Sequence, residues 1–149
     1  MNLVQHLQDA NAALASAGAQ WHVPVLARVL LVWLFPFSAI DKMLHWDGAM
    51  EQARSSIVPA SWAPFLLVCA MAAELVLPVC IVAGWLAPES ALVLAAYCAV
   101  TALLYHRFWA CGDFWKKRGP SKGRTHFWDF LKNFGLAGGL LYIVIGRGF

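Results

Sequence analysis

Four stretches of the chain are almost unbroken apolar sequence, and the polar residues gather between them. The apolar runs lie at about 23–40, 62–84, 86–106 and 127–145. Each approaches or reaches the roughly 17–25 residues that an α-helix needs to cross a hydrocarbon core of about 30 Å. The pattern predicts an all-α fold, a membrane-spanning four-helix bundle forming a single integral membrane domain over residues 1–149. Ahead of the first run, Leu3, Val4, Leu7, Ala10, Leu14 and Ala17 recur at near-helical spacing among Gln5, Gln8, Asp9 and Asn11. That spacing predicts a short interfacial N-terminal helix, with a loosely ordered tail as the alternative. The fourth run carries Lys132 and Asn133 in its first turns, so its start is the least defined boundary.

Composition supports the membrane reading: 61% of residues are hydrophobic, 13% are charged, and the mean hydropathy is +0.63. A soluble domain carries about a quarter of its residues charged. No Lys or Arg precedes Arg28, and Ala15-Ser16-Ala17 has no apolar core before it, so no cleavable signal peptide is expected. Eight of the eleven Lys and Arg residues fall in the connections 41–61 and 107–126. With four spans both connections lie on one side, and the positive-inside rule makes that side cytoplasmic. The expectation is a multi-pass protein of the inner (plasma) membrane with both termini outside the cytoplasm. The basic connections are explained by topology, and no nucleic-acid partner is implied. Cys69, Cys80, Cys98 and Cys111 form neither a C-x-x-C pair nor a zinc spacing, and no metal site is expected.

Within the second run, Glu74 is the one ionisable side chain of residues 65–82. A carboxylate at mid-bilayer costs roughly 2.5–3.5 kcal/mol on insertion scales and needs a partner. Pro78, four residues on, removes the amide that would bond the Glu74 carbonyl. Two sets of partners are open. If the first two spans are antiparallel neighbours, Arg28 lies about 7 Å and Glu74 about 15 Å below the outer boundary, an offset a long side chain can bridge. Snorkelling of Arg28 to the interface is the alternative. The short 85–90 turn makes the second and third spans antiparallel and places Glu74 near Tyr97 and Thr101, one turn apart on one helix face. Pro36 frees the carbonyl of Val32 and predicts a kink in the first span.

A second polar concentration gathers near the cytoplasmic face. It comprises Lys42, His45, Tyr105, His106, Arg107, Asp113, Asp129, Lys132 and Asn133, with Trp46, Phe108, Trp109, Phe114, Trp115, Phe127 and Trp128 around it. One reading is an interfacial aromatic belt with a basic loop that binds lipid phosphate. The other is a headgroup-binding pocket at the membrane surface, with His106 as the group that titrates near neutrality. Gly135 and Gly139 form a G-x-x-x-G pair that lets a neighbouring helix approach, within the chain or in a homo-oligomer.

Four features together resemble the DoxX family of small four-helix membrane proteins. They are Arg28 early in the first run, Lys42 within Ala39-Ile40-Asp41-Lys42-Met43-Leu44, Glu74 mid-way in the second, and His106 within Leu104-Tyr105-His106-Arg107-Phe108-Trp109. Phe134 to Leu141 looks like the family's glycine-rich last helix, and the resemblance extends over roughly residues 26–145. Ala39 stands where the family usually has glycine, and the 107–126 connection is longer and more basic than in many relatives. The resemblance implies a membrane subunit associated with quinone-linked thiosulfate oxidation or oxidative-stress complexes, with redox partner subunits.

Three functions follow as expectations. The first is a redox subunit that binds quinone near His106, Lys42, His45, Tyr105, Trp109, Asp129 and Lys132, with His106 and Glu74 as candidate catalytic groups. No cofactor is encoded: a bis-His haem lacks its second intramembrane histidine and an iron–sulfur cluster lacks its cysteines, so any redox cofactor is a diffusible quinone or belongs to a partner. The second is a non-catalytic scaffold in which Arg28 and Glu74 fix helix register. The third is a small-solute or proton transporter gated by Glu74.

Overall fold

The computed structural model describes residues 4–10, 22–56, 58–116 and 118–146. Among them every regular element is helical. Helix α1 covers residues 4–10 with all its side chains exposed, and the rest of the predicted interfacial helix lies outside the described residues. There follow α2 (His22–Val32), α3 (Leu34–Leu44), α4 (Trp46–Arg54), α5 (Ala63–Ala83), α6 (Ala87–Tyr105) and α7 (Lys122–Ile145).

The predicted first span is α2 and α3 in succession, interrupted at Trp33, three residues before Pro36. Trp33 keeps right-handed helical dihedrals, so α3 runs on from α2. It ends at Leu44, four residues beyond the expected boundary, and this puts Lys42 on a helix rather than in a loop. The connection 41–61 holds α4, an element the apolar runs did not announce, which buries Met50 and Ala53 against α5.

Helix α5 opens with Pro64 in its first turn and ends at Gly84, whose left-handed backbone (φ 76°) suits a residue without Cβ. It is apolar on every face: Phe65 and Val79 are 62% and 65% exposed while Leu67 and Ile81 are buried. An exposed face of that composition is matched to lipid rather than water. Among the described residues, two helical stretches, Ala60–Ala83 and Ala87–Ala110, are long and apolar enough to cross a membrane.

Most of the buried apolar residues among those described fall into two clusters. One joins Val32, Phe35, Ile81, Leu94, Cys98 and Leu140, and the other joins Ala39, Met50, Ala63, Leu67 and Met71. Glu74 lies on the same buried stripe of α5, between Met71 and Pro78. Helix α7 packs along α6 and touches α2, where Gly139 leaves room for Leu31; a Cβ there would come within 2.8 Å of Leu31 Cδ1.

Helix α7 begins five residues earlier than the apolar run. Ser121 caps it, its Oγ accepting from the Arg124 amide at 3.2 Å and donating to the Asp113 carbonyl at 2.8 Å. The Asp113 carboxylate accepts from the amides of Lys122 (2.8 Å) and Gly123 (2.7 Å), tying the 107–121 connection to the positive end of the helix. These bonds, that of the Gly123 amide foremost, hold the Asp113 carboxyl below the usual carboxylate range. A group with a depressed folded pKa stabilises above its unfolded value, about 3.9 for Asp, and loses that contribution as pH falls through the folded value. Asp113→Asn is therefore expected to lower the thermal unfolding midpoint of the detergent-purified protein at pH 7. The gap from wild type should narrow below about pH 4, and an equal gap at both pH values would contradict this role.

Candidate functional site

Ser38 and Lys42 are four residues apart on α3 and share one face, which the neighbouring buried Ala39 brings close to α5. Side chains on a helix lean toward its N-terminus, so Lys42 reaches back to the level of Ser38. There its Nζ donates to both oxygens of Glu74, at 2.6 Å and 2.7 Å, and to Ser38 Oγ at 2.7 Å. Ser38 Oγ in turn donates a hydrogen bond to Glu74 Oε1 at 3.2 Å, and Tyr97 Oη, from α6, donates to the same oxygen at 2.7 Å. Glu74 is 3% exposed, and its carboxylate is met from two other helices, α3 and α6. Charge and hydrogen-bonding capacity are thereby matched within one network.

This geometry corrects the expected pairing. The cation against Glu74 is Lys42, not Arg28: Arg28 Nη1 donates instead to the Ile81 carbonyl at 3.5 Å, two turns further along α5. The pairing with Arg28 assumed that α3 ended before Lys42 and left the lysine at the membrane surface. Lys42 is likewise withdrawn from the proposed headgroup pocket. Of the two α6 hydroxyls, Tyr97 reaches the carboxylate, whereas Thr101 Oγ1 donates back to the carbonyls of Tyr97 and Cys98 at 2.9 and 3.0 Å. His45 stands exposed at the end of α3, its Nδ1 3.0 Å from Asp41 Oδ1. Cys69 is exposed, Cys111 half-buried, and Cys80 and Cys98 are buried in the core.

The second polar cluster forms where α6 gives way to α7. His106 follows the last turn of α6 and His126 lies in the second turn of α7, their ring centroids 5.8 Å apart. Both Nδ1 atoms are buried without a hydrogen-bond partner. A buried polar atom left unsatisfied costs about 1–3 kcal/mol, and such atoms are few in folded proteins. A ring of aromatic contacts stands beside the pair. Phe108 meets Trp109, Phe114, Phe127 and Phe130 with centroids 5.1–5.6 Å apart, and Phe130 stacks on Phe134 at 4.7 Å. Asp129 and Lys132 form an exposed i,i+3 pair at 3.2 Å on α7, and Tyr105 is half-buried in the last turn of α6.

Two members of these sites, Ser38 and His126, were not singled out from the sequence. Ser38 was visible as the residue one helical turn before Lys42. His126 lay outside the apolar run, and the signal for it was Ser121 as a cap that starts the helix early.

Residues 23–107 match the DoxX family, and since that is more than half of the chain, the protein belongs to this family. Neither a curated protein nor a solved structure matches it. The matched segment contains Ser38, Lys42, Glu74, Tyr97 and His106, and ends before His126.

Because Glu74 is buried, removing its cation leaves an uncompensated charge. Lys42→Ala is expected to destabilise the protein by about 3–5 kcal/mol, and Tyr97→Phe by about 1.5–3 kcal/mol. Pairing Lys42→Met with Glu74→Gln should recover most of the loss. Thermal unfolding in detergent measures the series, and an Arg28→Ala variant more damaging than Lys42→Ala would contradict the assignment.

Proposed function

We propose that this DoxX-family chain is a multi-pass inner-membrane subunit of a quinone-linked redox system, binding the quinone ring at the α6–α7 junction. The observation that carries the reading is the pair of buried, unpartnered imidazole nitrogens of His106 and His126 beside the aromatic ring formed by Phe108, Phe114, Phe127 and Phe130. A quinone is a flat apolar ring with two oxygens, so flat aromatic walls and free imidazole positions fit its chemistry. When bound it supplies reversible two-electron, two-proton redox chemistry.

In this reading the chain's residues bind, orient and handle protons. Each Nδ1 donates or accepts according to its tautomer, so either imidazole can meet a carbonyl or a hydroxyl oxygen. Tyr105, Trp109, Asp129 and Lys132 flank the pair at the interface, and the aromatic rings exclude water. Electrons come from partner subunits. The chain crosses the membrane four times, with α2 and α3 together as the first span, α5 and α6 as the second and third, and α7 as the fourth. Arg54 and the 107–126 connection face the cytoplasm, and the termini face outward.

The Glu74 network supports a second element of the reading, a structural one. With Lys42, Ser38 and Tyr97 all directed at one carboxylate, the site has the marks of a register-fixing pair rather than of a transport gate. This is the role a scaffold needs, and it is compatible with a redox subunit.

Purification from quinone-rich native membranes, with bound quinones and co-purifying proteins identified by mass spectrometry, tests the proposal. Quinone is expected in the wild-type preparation and is expected to be lost in both His106→Ala and His126→Ala. Wild-type protein free of quinone would overturn the reading and leave the scaffold role.

A further inference from the structure

A groove of about 420 Å³ runs between α6 and α7, within the roughly 300–1,000 Å³ range of small-molecule sites. Its α6 wall includes Leu92, Ala96 and Ala99, and its α7 wall includes Phe134, Gly138 and Leu141. Every residue lining it is apolar. The groove exists because small residues face one another across two closely packed helices. Nothing stands within 4 Å of the place where a Cβ on Gly138 would lie, and beneath it Ala95 and Ala137 are buried.

Its position relative to the histidine pair gives it meaning. Leu92, Ala99 and His106 are spaced by seven residues, so they lie nearly in line along one side of α6. Ala99 is about 10 Å from His106 along that axis, and Leu92 a further 10 Å or so, at 1.5 Å per residue. On α7, Phe134 forms one end of the groove and stacks on Phe130 at 4.7 Å. Phe130 in turn meets Phe108 at 5.6 Å, within the aromatic ring beside His106 and His126. A polar end with two open nitrogens and an apolar groove about 10 Å long, the rise from Leu92 to Ala99, are thus linked through one row of aromatic rings.

We infer that the α6–α7 groove holds the hydrocarbon tail of the same ligand whose ring lies at His106 and His126, so that the ligand class is a lipid-tailed ring compound rather than a small soluble one. The inference rests on the proposed ring site. The tail gains nothing hydrophobic over bulk lipid, whose chains are equally apolar; its preference for the groove comes from close van der Waals contact with Ala96, Ala99 and Gly138. The ring end fixes which chain enters, because a phospholipid acyl chain carries no ring to satisfy the imidazoles.

Photolabelling of the full chain in nanodiscs tests this. One probe is a long-tailed quinone with a diazirine on the tail, the second a short-tailed quinone with an azide on the ring, and the reference a diazirine-bearing fatty acid. The tail probe is expected to label residues 92–99 and 134–141, the ring probe residues 105–130. Gly138→Leu, which fills the groove, should lose most of the tail labelling and keep the ring labelling; Leu92→Phe at the far end serves as the second filling variant. Ring labelling in place with tail labelling spread over the lipid-facing side of α5 would overturn the groove and leave the ring site standing. The same result follows if the fatty acid labels the groove as strongly as the tail probe. If neither quinone labels its site above the fatty acid, both inferences fall.

Discussion

A carboxylate buried in an apolar bundle must be neutralised where it stands, and the arrangement of α3, α5 and α6 follows from how Glu74 meets that requirement. Its partners come from two other helices: Lys42 and Ser38 from α3, Tyr97 from α6. Each bond has a narrow range of lengths, so together they fix the sliding position of three helices at once. Apolar packing alone would do this poorly, since the two core clusters on either side consist largely of Ala, Leu, Ile and Met, which tolerate small slips. A polar network that is fully satisfied specifies one register and penalises the neighbouring ones, which leave the charge unpaired.

The same requirement explains why a lysine near the end of a helix is pulled inward. An ammonium group at that position would normally reach for the interface. Here the side chain is 23% exposed, because the carboxylate and the Ser38 hydroxyl satisfy it on the protein side. Ala39, fully buried beside Ser38, lets α5 approach closely enough for a short bond, as the glycine usual in the family at that position would also do.

The helices were legible in the sequence because length and apolarity decide them, and α5 and α6 end within a residue or two of where the apolar runs end. Glu74 and its link to Tyr97 were legible as well, since a tight turn fixes the register of two antiparallel helices. The lysine was missed for a physical reason. Hydropathy ends a span where charge begins, but α3 continues through Asp41 and Lys42 because its backbone bonds do not depend on side-chain polarity. The start of α7 was missed likewise: its first turns are polar, and the cap at Ser121 with the Asp113 carboxylate sets its boundary. His126 therefore stood in an apparent loop. Helix α4 gave no sign because it buries one narrow face, Met50 and Ala53, and keeps Asp47, Glu51 and Arg54 exposed.

The two polar sites differ in a way that bears on their roles. At Glu74 every strong group has a partner, and the arrangement resists change. At His106 and His126 two buried nitrogens have none, within a junction otherwise braced by Asp113 and Ser121. An unsatisfied site held by a stable frame is poised for a ligand, whereas a satisfied one mainly serves the frame. The glycines of α7 follow the same division. Gly139 is turned to Leu31 and closes the helices of the chain on one another, while Gly138, one residue earlier and some 100° around the helix, opens onto the groove. The G-x-x-x-G pattern is thus at least half consumed inside the chain. An oligomer built on Gly135 would dock one turn from Gly138, where it would compete with whatever fills the groove.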